Sequence, residues 1–258
     1  MQTRRVLVFD LDGTISDPVT GICRSMNYSL EAFGYPPLTG QEVSHYIGPP
    51  IECTFREITG ETSDERIAAI IARFRERYGR AGYAENTLYP GISETITGLF
   101  ERGAGMGICT SKRADFAEKI LEMFGLRDCF SFVSGGDVGI RKAEQLGGLL
   151  SSGVIDRTAI MIGDRSVDIL AARANGLSSV GVLWGYGSRA ELEKAGPERI
   201  LCRPEEIGEL AALQAGSDSP VGHNSLGGLD PFPVHPAKPP GEYVNRREKN
   251  RQGPGNKS

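Results

Sequence analysis

The sequence predicts an α/β protein, a doubly wound parallel sheet with an α-helical cap inserted after its first strand. Three observations predict it. Short apolar runs ending at polar residues recur along the chain, and stretches with apolar residues at helical spacing stand between them. That alternation gives parallel strands with helices on both faces. The runs are nearly continuous rather than alternating, as in strands buried on both sides. After the first run come two helical stretches with no strand between them, which is more than one crossover requires.

The elements follow in order. Val6-Leu7-Val8-Phe9 is the first strand, ending near Asp10. Asp17 followed by Pro18 starts a helix, a side-chain cap before a residue with preset φ. Ile22, Met26, Leu30 and Phe33 share its apolar face, and Gly34 closes it. Ile67, Ile70, Ile71, Phe74 and Tyr78 mark a second helix. Residues 16–84 thus read as helices inserted after the first strand, between the α/β core segments 1–15 and 85–215. Beyond Tyr89-Pro90-Gly91 the alternation resumes. Strands are expected at 105–109, 130–133, 159–162 and 179–183, with helices through Phe116–Phe124 and at 142–150, 166–174 and 190–194. From 216 to 258 the pattern stops. Seven of the 15 prolines lie there, and the segment reads as a disordered tail.

Composition narrows the function. The net charge is −4, and the tail holds six bases against four acids, so the body is more acidic still. That argues against a nucleic-acid-binding surface. The five cysteines are scattered without a Cys-x-x-Cys spacing, which supports neither a zinc ribbon nor a disulfide framework. Cys109, inside an apolar run, reads as a small core residue. Asn27-Tyr28-Ser29 reads as helix surface. Arg4 and Arg5 lead straight into a strand, no signal-peptide pattern is expected, and no apolar stretch is long enough to span a membrane. A cytoplasmic location follows as the expectation. Of the three histidines two lie in the tail, leaving His45 in the body. Carboxylates, lysine and hydroxyls must therefore carry the chemistry.

Four segments offer such groups. Asp10-Leu11-Asp12-Gly13-Thr14 sets two carboxylates at the end of the first strand, where Gly13 lets the chain turn. Ligands bind at that end of the strands in open α/β sheets. Two carboxylates there can anchor Mg²⁺, and one can attack a phosphoryl group; a plain surface turn is the alternative. Gly107-Ile108-Cys109-Thr110-Ser111 ends a run with hydroxyls. Lys142 precedes a helical pattern. Ile160-Met161-Ile162-Gly163-Asp164-Arg165-Ser166-Val167-Asp168 ends a third run with two acids one helical turn apart.

In this order the four segments resemble the haloacid dehalogenase-like hydrolase superfamily, and within it the phosphoglycolate phosphatase-type branch with a helical cap. The resemblance runs from about Arg5 to about Leu213. It extends to Ile47-Gly48-Pro49-Pro50, Tyr89-Pro90-Gly91, Lys142-Ala143-Glu144 and Gly181-Val182-Leu183-Trp184-Gly185-Tyr186-Gly187. It implies Asp10 as nucleophile, forming an aspartyl-phosphate, and Asp12 as the acid and base. It implies Mg²⁺ held by Asp10, the Asp12 carbonyl and Asp164, with Asp168 a ligand through water or a partner for Lys142. Thr110 would hold phosphoryl oxygens with the Ser111 amide at a helix start and Gly13 nearby. Lys142 would neutralise Asp10 and the transferring group. The segment between Gly135 and Lys142 is shorter than in relatives, which leaves Arg141 as a rival for the Lys142 role.

Other assignments stay open. Arg24 lies opposite the apolar stripe of its helix and faces either solvent or substrate. Lys112 and Arg113 could hold a second anionic group or sit on a solvated helix start. Ile47-Gly48-Pro49-Pro50 is either a plain loop or a turn aimed at the cleft. Trp184 reads as core packing. The expected function is hydrolysis of a small phosphorylated metabolite, phosphoglycolate-like, by a monomer or weak homodimer. A 5′-nucleotidase and a non-catalytic partner-binding protein are the alternatives. A dehalogenase is disfavoured because displacing a halide needs no acid such as Asp12, and a mutase shares the Asp pair.

Overall fold

The computed structural model describes residues 5–48, 50–136 and 140–212. The chain divides into two units, Met1–Asp218 and Ser219–Ser258, and only the first contains described residues. The expected tail at 216–258 lies outside them, as do Pro49 and the loop residues 137–139.

In chain order the elements are β1 (Val6–Phe9), β2 (Ser16–Asp17), α1 (Val19–Ala32), α2 (Gly40–Ser44), α3 (Ile51–Thr59), α4 (Asp64–Arg80), β3 (Thr87–Leu88), α5 (Ile92–Glu101), β4 (Gly105–Thr110), α6 (Ala114–Met123), β5 (Val133–Gly135), α7 (Lys142–Ser151), β6 (Ile160–Gly163), α8 (Ser166–Ala174), β7 (Ser178–Val182), α9 (Arg189–Ala195), β8 (Arg199–Leu201) and α10 (Ile207–Ala212). Six strands form one parallel sheet in the order β5-β4-β1-β6-β7-β8. Leu7 lies opposite Met106 on one side and Ile160 on the other. Side chains alternate across a strand, so each apolar run feeds two layers. Leu7, Phe9, Met106, Ile108, Ile160 and Ile162 pack with α5 and α6 residues such as Ile96 and Ile120. Val8, Cys109 and Met161 pack the other way, against Leu146, Ala171 and Ala172. Strand order reverses between β1 and β6, and the crevice at such a reversal is where open sheets bind ligands.

The helices α1–α4 form their own apolar cluster around Met26, Leu30, Phe55, Ile67 and Ile70. The chain enters and leaves this cap through β2 and β3, which pair antiparallel as Ser16 with Leu88 and Asp17 with Thr87. Ser16 Oγ donates to Asn86 Oδ1 across the same junction at 3.2 Å.

Some expectations need correcting. The strand expected at 130–133 runs instead over 133–135. Phe130 follows a short 3-10 turn and fills the core edge-on to Phe9, so its apolar character marks burial rather than sheet pairing. Asp17 belongs to β2, and the helix it was to cap begins at Val19, whose N–H donates to Asp17 Oδ1 at 2.9 Å. Asn27 is not plain helix surface. Its amide bonds the carbonyl and the N–H of Leu38, each at 2.8 Å, while Ser29 is buried and donates to the Ile70 carbonyl. No described helix is long and apolar enough to cross a membrane.

Candidate active site

Asp10 sits one residue beyond β1, and its N–H donates to the Ile162 carbonyl of β6 at 2.9 Å. This main-chain bond sets it at the strand-order reversal. Asp10 Oδ1 accepts the Leu11 N–H at 2.8 Å, and Oδ2 faces the Lys142 ammonium at 3.0 Å. The same ammonium bonds Asp168 Oδ1. Lys142 opens α7 with its side chain 1% exposed, while Arg141 is 84% exposed and pairs with Glu144. The buried cation is thus Lys142 and not Arg141.

Asp164 follows β6, and Asp168 lies in the first turn of α8. Tyr186 N–H donates to Asp164 Oδ2 at 2.8 Å, and Thr14 Oγ donates to Oδ1 at 3.4 Å. Asp168 Oδ2 accepts the Arg165 N–H at 3.0 Å, so one carboxylate serves the helix end and Lys142 together. Gly13 makes the close approach possible. Its φ is +87°, and a Cβ there would lie 2.2 Å from Asp164 Oδ2.

Oxygens of Asp10, Asp164 and Asp168 lie within 4.8 Å of one another, all three residues buried. Lys142 pairs with two of the three, Asp10 and Asp168. Burial pushes Asp164 up to about 8, with the charges of Asp168 and Asp10 adding to it. Burial pushes Asp168 up to about 6 even though Lys142 pulls the other way. Burial opposes the charge on Lys142, but Asp10 and Asp168 outweigh it and raise its pKa. A pocket with excess buried negative charge and only oxygen donors fits a hard divalent cation.

The Asp12 carboxylate stands apart from this trio. Oδ2 pairs with Lys112 Nζ at 2.8 Å, and Oδ1 is buried without a partner. Burial raises its pKa, with Lys112 opposing. A carboxyl whose protonated form is favoured by burial is the kind of group that general acid chemistry uses. Thr110 ends β4, buried, with its carbonyl accepting from Gln145 at 3.1 Å. Ser111 is exposed and precedes α6 by three residues. The expected helix-start placement of its amide does not hold, because Arg113 takes the capping position.

The remaining assignments divide. Arg24 is exposed and reaches Glu85 at 2.8 Å, a carboxylate that Arg77 also holds. No described contact joins Arg24 to the acid cluster. Lys112 is brought to Asp12, while Arg113 pairs outward with Asp115. Trp184 donates its indole N–H to the Thr14 carbonyl at 2.9 Å and packs on the core. Arg165 carries no functional signal in the sequence. It spans from Glu191 at 3.0 Å to the Ile47 carbonyl of the cap at 2.5 Å. In the sequence Tyr78 is only part of a helical stripe, yet its hydroxyl accepts from Lys112 at 2.7 Å. Tyr186 bonds Asp17 through its hydroxyl, and its only sequence signal is the Gly-Tyr-Gly after Trp184.

The family model described as haloacid dehalogenase-like hydrolase matches residues 7–182. A 5′-nucleotidase of Pseudomonas aeruginosa is 35% identical over 212 residues, covering 81% of this chain and 93% of its own. A phosphoglycolate phosphatase of Vibrio parahaemolyticus is 28% identical, covering 83% and 99%. Tyrosine-protein kinase PtkA of Mycobacterium tuberculosis is 32% identical, covering 75% and 67%. Among solved structures, a haloacid dehalogenase-like hydrolase of Streptococcus pneumoniae superposes with a TM-score of 0.74 at 26% identity, covering 81% of this chain and 99% of its own. The family model over residues 7–182 and the phosphatase relatives place this chain in the haloacid dehalogenase-like hydrolase family, in its phosphoglycolate phosphatase-type branch, as a phosphoric monoester hydrolase.

Proposed function

We propose that this phosphatase hydrolyses a small, phosphoglycolate-like phosphomonoester with Mg²⁺ through an aspartyl-phosphate on Asp10. The observation that carries the reading is the buried trio Asp10, Asp164 and Asp168 closed on one side by Lys142. Asp10 is the nucleophile. With Oδ1 held by the Leu11 N–H and Oδ2 by Lys142, its carboxylate is fixed in one orientation, and an oxygen of it bonds to phosphorus as the ester P–O bond breaks. Asp12 gives its proton to the departing alkoxide oxygen. The same carboxylate then takes a proton from the water that cleaves the aspartyl-phosphate. Thr110 Oγ and Lys142 hold the transferring oxygens, with Gly13 leaving room beside Asp164. Asp10, Asp164, Asp168 and the Asp12 carbonyl would hold Mg²⁺, which supplies charge neutralisation to the phosphoryl group when bound.

The nucleotidase relative favours nucleoside 5′-monophosphates as the second substrate class. A vestigial, partner-binding site is disfavoured, because Asp10, Asp12, Asp164 and Asp168 are all present, and three of them, Asp10, Asp164 and Asp168, are buried with carboxylate oxygens within 4.8 Å of one another. The free cysteines suit a reducing cytoplasm, and a monomer or weak dimer needs no further residue at the site.

A panel of phosphomonoesters, assayed with Mg²⁺, with Ca²⁺ and after chelation, tests the reading. Turnover is expected with Mg²⁺, poorly with Ca²⁺, which tolerates looser geometry, and not after chelation. Acid quenching should trap phosphate on Asp10. Full turnover after chelation overturns the metal assignment, and label on any other residue overturns the nucleophile.

A further inference from the structure

Among the described residues, Lys112 is the cation with a buried side chain that the reaction above leaves idle. Its side chain is 7% exposed, and its ammonium is shared between Asp12 Oδ2 at 2.8 Å and the Tyr78 hydroxyl at 2.7 Å. Its main chain is fixed as well. The Lys112 N–H donates to Thr110 Oγ at 3.2 Å, and its carbonyl accepts the Gly136 N–H at 2.9 Å. A lysine held at both ends is not a mobile counter-charge for a second anionic group.

Tyr78 is held just as firmly. It lies near the end of α4 in the cap, stacked on Phe74 with ring centroids 5.5 Å apart. Phe116 of α6, in the core, meets it edge-on at 5.2 Å. The hydroxyl therefore arrives at Lys112 on a ring clamped from two elements. The consequence falls on Asp12. A carboxylate has two oxygens, and Lys112 occupies Oδ2. Oδ1 is left buried with no partner. A polar atom in that condition is costly unless something else completes it, and in a phosphatase that something is the departing oxygen of the substrate.

We propose that Tyr78 acts through Lys112 as a positioning residue for Asp12, fixing Oδ2 so that Oδ1 is the oxygen turned to the leaving group. The inference rests on the phosphatase reading. It assigns a side chain of the cap to the aim of an acid in the core. In the step affected, Asp10 oxygen bonds to phosphorus, the ester P–O bond breaks, and the proton on Asp12 Oδ1 passes to the alcohol oxygen. An aryl leaving group such as p-nitrophenolate departs as the anion and needs no proton. An alkyl leaving group does.

The test follows from that difference. Tyr78→Phe keeps the ring and its aromatic contacts and removes only the hydroxyl. The quantity to compare is kcat/KM, which ends at the first irreversible step and so excludes dephosphorylation. For an alkyl phosphate, the better of phosphoglycolate and a nucleoside 5′-monophosphate, kcat/KM is expected to fall about tenfold, a fraction of what general acid catalysis supplies. For p-nitrophenyl phosphate the fall is expected to stay under about twofold. Lys112→Met should show the same selectivity with a larger loss. Tyr78→Phe added to it should then cost nothing further, since the two act in series. Equal losses on the two substrates, no loss on either, or additive losses would overturn the inference while leaving the phosphatase reading standing. Absence of turnover of both substrates by the wild-type protein would overturn the reading and the inference with it.

Discussion

Charge at the level of single residues governs this site. Asp10 stands between the Leu11 amide and Lys142, and the Asn isostere can keep the shape but cannot attack phosphorus. Asp10→Asn is expected to abolish turnover while leaving the melting temperature within about 2 °C; comparable turnover by the two proteins would remove Asp10 from the nucleophile role. Asp164 makes a second prediction. Its folded-state pKa is raised to about 8, above the carboxylate's ordinary value. Between the ordinary value and about 8 the metal-free folded state holds a proton that the unfolded chain has lost. This group's contribution to stability is therefore full at low pH and declines as pH rises toward 8. A divalent cation must displace that proton. Near pH 7, Mg²⁺ binding should release up to about one proton, read by titration calorimetry in buffers of different ionisation enthalpy. The release should disappear in Asp164→Asn, and persistence there would place the proton elsewhere.

Between elements, polar contacts join the cap to the core alongside the aromatic contact of Tyr78 with Phe116. Arg165 follows Asp164 in sequence and reaches the Ile47 carbonyl, braced by Glu191. Beside it Gly48 has φ +113°, and a Cβ there would sit 3.3 Å from the Arg165 guanidinium. Arg165→Ala removes this tie and spares the backbone N–H that Asp168 uses. KM is expected to rise about fivefold, the worth of one hydrogen bond, with kcat nearly unchanged. Steady-state kinetics decide, and a fall in kcat with constant KM would assign Arg165 to the chemistry instead. Contacts of this kind were the least legible in the sequence. The strands β1, β4 and β6 and the helix α8 announce themselves because their apolar pattern is continuous or periodic and ends at an acid or hydroxyl. The two-residue strands β2 and β3 carry no period at all. α2 is too short to show one, and β8 alternates too briefly to stand out from its loop. The acid cluster was readable because chemistry restricts which residues serve. Tyr78 was not, because a tyrosine on an apolar stripe has the same pattern whether or not its hydroxyl is used.

For the molecule as a whole, the candidate catalytic residues all precede residue 216. Removing 216–258 is expected to leave the melting temperature and kcat/KM unchanged, since that stretch lacks the periodic apolar residues that would offset the entropy of ordering it. Thermal unfolding and kinetics of the shortened chain check this, and a clear drop in either would show that the segment contributes to the fold or the site. The antiparallel pair β2 and β3 has a different consequence, one of polymer entropy. Because the chain leaves the core at Ser16–Asp17 and returns beside that pair at Thr87–Leu88, the core feels the whole helical insert as a single closed loop. Closing such a loop costs only about 0.6 kcal/mol more for each doubling of its length. The insert can therefore lengthen, shorten or be exchanged for another at little expense to the sheet, and the four acids keep their places while the surface above them is rewritten.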